Sequence, residues 1–164
     1  MITGTRPLVL GHAAGACKEA TAFPRMWPRA RTGGETVASE QTAEQIIGSA
    51  KAGYAAFSWG DLAAAMAQMA DDIEWIVPGD SVMSGTYHGK KELTAFFVKL
   101  AETSYTQEAQ LFLGDEEQVM VFLRTTLGGE SSDQVDILTY RDGKVAKGRS
   151  VLDTLLGQRV LGTK

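Results

Sequence analysis

A chain of 164 residues with 44% hydrophobic content is one domain's worth, enough to bury a single core. No apolar run approaches the ~20 residues that a membrane-spanning helix needs, and the lone cysteine, Cys17, excludes an intramolecular disulfide. The net charge of −4 is unevenly spread: Arg6, Lys18, Arg25, Arg29 and Arg31 outweigh Glu19 and Glu35 near the start, and the acidic remainder lacks the basic stripe that a nucleic-acid backbone demands.

Residues 1–38 contain Pro7, Pro24 and Pro28, several glycines and no sustained apolar period, so they read as a disordered or over-extended leader. Arg6 ahead of the apolar stretch from Leu8 to Ala16, with Cys17 following, has the outline of an export signal, but His12 interrupts it and position 14 is Ala where a lipobox carries Leu. The expected location is the cytoplasm. The globular domain then runs over 39–164.

Thr42 followed by Gln45 fits a capping box, and Ile46, Ile47, Ala50, Tyr54 and Phe57 lie along one side of a first helix that Gly60 closes. Asp61 caps a second helix, with Leu62, Met66 and Met69 at helical spacing and a turn at Asp71-Asp72. Ile73 to Val77 reads as a short strand stopped by Pro78-Gly79. Gly85 and Gly89 bracket a loop, after which Leu93, Phe96, Phe97 and Leu100 predict a third helix. Four strand candidates follow: Ala109 to Leu113, Gln118 to Leu127, Gln134 to Arg141 and Lys144 to Leu152. Asp142-Gly143 supplies a strong hairpin signal between the last two.

The helix ending at Gly60-Asp61, the Ala70-Asp71-Asp72 turn, the Trp75, Pro78-Gly79, Gly85, Tyr87 and Gly89 series and the hairpin VDILTYRDGKV together resemble the SnoaL-like branch of the NTF2-like superfamily, from about Thr42 to Asp153. That superfamily includes ketosteroid isomerases, polyketide cyclases and limonene epoxide hydrolases. The resemblance implies an α+β cone: a curved antiparallel or mixed sheet wrapped around three N-terminal helices and enclosing an apolar pocket. It also implies a homodimer paired through the outer sheet face, to which Val119, Val121 and Leu123 or their alternates contribute.

Period two places Gln134, Asp136, Leu138 and Tyr140 on one face of a strand, yet both faces are partly apolar and alternation does not say which is buried. Matched through the hairpin glycine, Asp136 falls where ketosteroid isomerases keep a protonated aspartic acid that hydrogen-bonds the developing enolate, so the resemblance implies a catalytic Asp136. The isomerase base position is Val77, which accepts no proton, and the isomerase tyrosine falls on Gly53, beside Tyr54. A true ketosteroid isomerase is therefore disfavoured. The resemblance further implies that Tyr54, Phe57, Trp75, Val77, Met83, Phe97, Leu138 and Ser150 contact substrate. For the epoxide hydrolase set of two aspartates and an arginine, the available types are Asp136, Arg124 and Asp153; Asp153 itself reads as solvated and His88 as a loop histidine.

Two functional readings stay open. One is acid–base chemistry of isomerase or cyclase type on a small, hydrophobic, carbonyl-bearing molecule, with Asp136 as proton donor or hydrogen-bond anchor. The other is a non-catalytic small-molecule-binding or accessory domain. Neither calls for a cofactor, and with His12 and His88 the two histidines, no metal site is expected.

Overall fold

The structure is a computed structural model that describes residues 42–164. The readings of residues 1–38, Cys17 and His12 included, lie outside the described residues. Thr42 does form the capping box: its hydroxyl accepts from Gln45 N at 3.3 Å while Gln45 Oε1 accepts from Thr42 N at 3.0 Å. The helix so started, α1 (Ala43–Ser58), buries Ile46 and Ala50. Asp61 caps α2 (Leu62–Ala67) by accepting from Ala64 N at 2.9 Å.

Six strands follow: β1 (Met69–Val77), β2 (Gly85–His88), β3 (Thr106–Gly114), β4 (Gln118–Leu127), β5 (Glu130–Arg141) and β6 (Lys144–Val151). Helix α3 (Gly89–Glu102) joins β2 to β3, and α4 (Thr154–Leu161) follows β6. The sheet order is β2-β1-β6-β5-β4-β3. All neighbours are antiparallel except β1 and β6, so the sheet is mixed. This is the expected α+β cone, with a sheet that stays open at β2 and β3 rather than closing into a barrel.

Three local readings are corrected. Asp71 and Asp72 are not a turn between elements but part of β1; their side chains face solvent, where Lys90 pairs with Asp71 at 2.8 Å and Arg141 with Asp72 at 2.5 Å. The span bracketed by Gly85 and Gly89 is strand β2, paired with the end of β1. Among the described residues there are four helices rather than three, because Asp153 starts α4 by accepting from Leu155 N at 3.0 Å and Leu156 N at 3.1 Å.

The register decides which side chains meet. Val121 of β4 lies opposite Asp136 of β5, and Asp136 opposite Ser150 of β6, so their side chains share the inner face. On that face Val119, Val121 and Leu123 are buried with Ile73, Leu138 and Val145 against Ile46 of α1 and Leu93 of α3. The alternates, Met120 and Phe122, are therefore the ones that point outward. At the β5–β6 turn Asp142 (φ 52°) and Gly143 (φ 73°) both take the left-handed conformation that a tight two-residue hairpin demands.

Candidate functional site

Between the sheet and the helices lies a cavity of about 120 Å³, far above the roughly 10–15 Å³ that one water needs. Its walls are mainly apolar: Phe57, Phe96, Phe97, Trp75, Val77, Met69, Met83, Leu100 and Leu127 line it. Phe97 links two sides of the wall, packing edge-on against Phe57 (5.1 Å between ring centres) and Trp75 (6.0 Å). Helix α4 lines the cavity through Leu156, Gly157 and Leu161, and its C-terminal end is held to the β1–β2 loop by hydrogen bonds from Val82 N to Gly162 O (3.1 Å) and Lys164 N to Asp80 O (3.0 Å).

Trp75 can lie flat against the sheet because its neighbour on β6 is Gly148; a side chain there would overlap the indole ring. In that pose the indole Nε1–H donates to Ser150 Oγ at 3.3 Å.

One end of this apolar space is polar. Asp136 is 3% exposed, and its two oxygens have different partners. Tyr54 Oη donates to Oδ2 at 2.6 Å, and Gln134 Nε2 donates to Oδ1 at 2.8 Å. Burial raises the Asp136 pKa above the ordinary aspartate value, and the hydrogen bonds from Tyr54, Gln134 and Ser150 oppose that rise without cancelling it. Burial and the adjacent Asp136 carboxyl likewise push the Tyr54 phenol well above its usual value. Tyr105, whose hydroxyl donates to Gln107 Oε1 at 3.1 Å, borders the same end and is raised mainly by burial. The result is a weakly acidic carboxyl and a phenol in contact, out of water, at the head of an apolar chamber. Such a pair can hydrogen-bond or protonate a carbonyl oxygen as negative charge develops on it.

Tyr54 reaches Asp136 although the isomerase tyrosine falls on Gly53, because Tyr54 lies on the face of α1 turned to the sheet; its ring also meets Phe112 edge-on at 5.9 Å. Phe57, Trp75, Val77, Met83, Phe97 and Ser150 line the cavity as well. Leu138 does not. It is 1% exposed, one pleat deeper on β5, and packs in the closed part of the core. The Asp136, Arg124 and Asp153 set is not assembled either: Arg124 is exposed and pairs with Asp133 at 2.7 Å. His88 is exposed, 4.0 Å from Glu74. Gln134, Tyr105 and Asp153 border the cavity without having been singled out as contacts; the parity of β5 had already put Gln134 beside Asp136. Among the described residues no three histidine, cysteine or acidic side chains gather as a metal centre would require.

An open mixed sheet wrapped around helices, with a chamber between them, is the NTF2-like cone. Residues 50–148 match the SnoaL-like domain family, and the chain belongs to it. Solved structures share the fold. An NTF2-like protein from Burkholderia xenovorans LB400 is 28% identical, with 75% of this chain and 99% of that one covered and a TM-score of 0.63. Bal32a, from a soil-derived mobile gene cassette, is 23% identical over 73% of this chain and 98% of its own, with a TM-score of 0.67. TerC, co-crystallized with polyporic acid, is 22% identical over 73% of this chain and 99% of its own, with a TM-score of 0.64. No curated protein matches the sequence. No helix among the described residues is long and apolar enough to cross a membrane.

Proposed function

We propose that the chamber takes a small hydrophobic molecule bearing a carbonyl group and that Asp136, with Tyr54, acts on the carbonyl oxygen in acid–base chemistry of isomerase or cyclase type. One observation carries this reading: a carboxyl group held toward its neutral form sits 2.6 Å from a phenol at the polar end of an otherwise apolar cavity. With the Asp136 proton on Oδ2 and donated to Tyr54, the pair presents the phenol O–H to the oxygen of a developing enolate, where a dry site makes such a donor most effective. Loss of a proton from carbon needs an acceptor as well. Val77 stands where the isomerases carry theirs, and the other carboxylate on the cavity wall is Asp153, at the start of α4. A positioned base contributes roughly 10²–10⁴-fold.

The apolar Val77 supports a second reading, in which the same chamber holds its ligand without reaction. Native mass spectrometry followed by denaturing extraction separates the two once a ligand is in hand. A recovered molecule that has been chemically altered supports catalysis, and tight retention of an unaltered one supports binding alone. For a carbonyl compound that turns over, Asp136→Asn should lower kcat/KM at least about tenfold, and an unchanged value contradicts the catalytic role.

The same reading places the protein in the cytoplasm as a homodimer. Leu111, Leu113, Met120, Phe122 and Val151 are 40–50% exposed on the outer sheet face, and the register joins them through Val135 into one apolar area. Such an area calls for cover. Light scattering at micromolar concentration should report a dimer that Phe122→Lys dissociates; a wild-type monomer contradicts this.

A further inference from the structure

Gln134 stands one pleat before Asp136 on the inner face of β5 and is 9% exposed. Its side chain borders the cavity and spends one amide N–H on Asp136 Oδ1 at 2.8 Å. That bond orients the whole amide: the nitrogen must face the carboxyl oxygen, which turns the carbonyl oxygen, Oε1, away from it. Oε1 accepts no hydrogen bond from the described residues. Nor is it sealed from open space, since Tyr140 Oη is the buried side-chain atom left both sealed and unpartnered among those residues. The open space beside Gln134 is the cavity, so Oε1 is an acceptor aimed into it.

Gln134 also determines where a proton on Asp136 can reside. With Oδ1 occupied as an acceptor, the proton belongs on Oδ2, facing Tyr54 Oη. Protonation of Oδ2 reverses the bond, which Tyr54 donates while the carboxyl is ionised: Oδ2–H then donates to the phenol oxygen and frees the phenol's own hydrogen for a ligand. The polar end then offers a ligand a donor from Tyr54 and, close by, an acceptor from Gln134. A carbonyl group alone satisfies the first and leaves the second covered and unpaired.

We propose that the molecule bound here carries a hydrogen-bond donor, N–H or O–H, on the atom beside its carbonyl, and that Gln134 selects for it. This rests on the reading of the chamber as a site for a carbonyl-bearing molecule. A buried acceptor left unpaired penalises binding by roughly tenfold or more, so an isostere lacking the donor is rejected even though it fills the same space.

The test uses the full-length protein and two flat bicyclic compounds of one size, 2-quinolinone and coumarin, which differ in having a ring N–H or a ring oxygen beside the carbonyl. Calorimetric titration should show 2-quinolinone binding at least about tenfold more tightly. Gln134→Met, which keeps length but removes the acceptor, should bring the two within about threefold, chiefly by weakening 2-quinolinone. Equal affinities in the wild type overturn the inference and leave the carbonyl site standing. A wild-type preference that survives Gln134→Met overturns the role of Gln134. Failure of both compounds to bind overturns the reading of the chamber, and the inference with it. If Gln134→Met does not fold, the wild-type ratio decides.

Discussion

Tyr54 and Tyr140 are two phenols inside the same cone, and their surroundings differ. The Tyr54 hydroxyl meets Asp136 at 2.6 Å; Tyr140, 8% exposed and further along β5, has its hydroxyl buried beside Ser49 of α1. The inner face of β5 runs Gln134, Asp136, Leu138, Tyr140, so one strand face serves both surroundings. Its first two side chains belong to a chamber that keeps polar groups in mutual contact. Its last two belong to the core, Leu138 in wholly apolar packing and Tyr140 with its hydroxyl beside Ser49. Chemistry is concentrated where helices and sheet leave a cavity between them, and stability where they pack directly.

Substitutions along that face can break this division. Leu138→Ala should cost the most stability, about 2–5 kcal/mol by denaturant unfolding, because the leucine is fully enclosed and its removal leaves a void; ligand binding in the chamber should persist. Loss of binding with intact stability would show that Leu138 belongs to the site after all. Tyr54→Phe should cost about 1–2 kcal/mol, as it strips a partner from a buried carboxyl, and should weaken binding of a carbonyl ligand. Tyr140→Phe should cost less than Tyr54→Phe, no more than about 1 kcal/mol, since its hydroxyl has only the Ser49 hydroxyl beside it and no bond to a carboxyl. A cost equal to that of Tyr54→Phe would erase the contrast between the two phenols.

The pH dependence sharpens the same contrast. Burial raises the folded-state pKa of Asp136 above its unfolded value of about 3.9, so its protonation favours the folded state. That contribution is fully present below the unfolded pKa and is lost as pH rises through the folded one. Asp136→Asn removes it. Thermal unfolding of the variant should therefore gain on the wild type as pH rises through that window, and parallel curves would contradict a raised pKa.

Much of the fold was legible because its signals are local. The Thr42 box, the Asp61 cap and the Asp142-Gly143 hairpin each depend on a few adjacent residues, and each forms as read. Strand β2 was not legible: three residues between glycines are too few to show an alternation, and they become a strand only by pairing with β1. Helix α4 had a signal, Asp153 ahead of Leu155, Leu156 and Val160, but Asp153 was read only as a solvated residue; Gly157 within the helix packs against Ser81, 3.6 Å from where its Cβ would be. Asp71 and Asp72 look like a turn by composition, yet Lys90 and Arg141, distant in sequence, accommodate them on the exposed side of β1. At the site, parity put Gln134, Asp136 and Leu138 on one face. It did not tell where along that face the chamber stops, because that depends on how far α1 and α3 extend over the sheet.

The claim at the centre of this account is that Asp136 is kept toward its neutral form so that it can donate. Carbon-13 NMR of the side-chain carboxyls, with Asp136→Asn used to assign the resonance, measures this directly. The account predicts that the Asp136 carboxyl titrates well above the other aspartates and shifts again when a carbonyl ligand binds. A midpoint near the ordinary value of about 3.9 would leave an ionised carboxylate at neutral pH, with no proton to donate, and would contradict it.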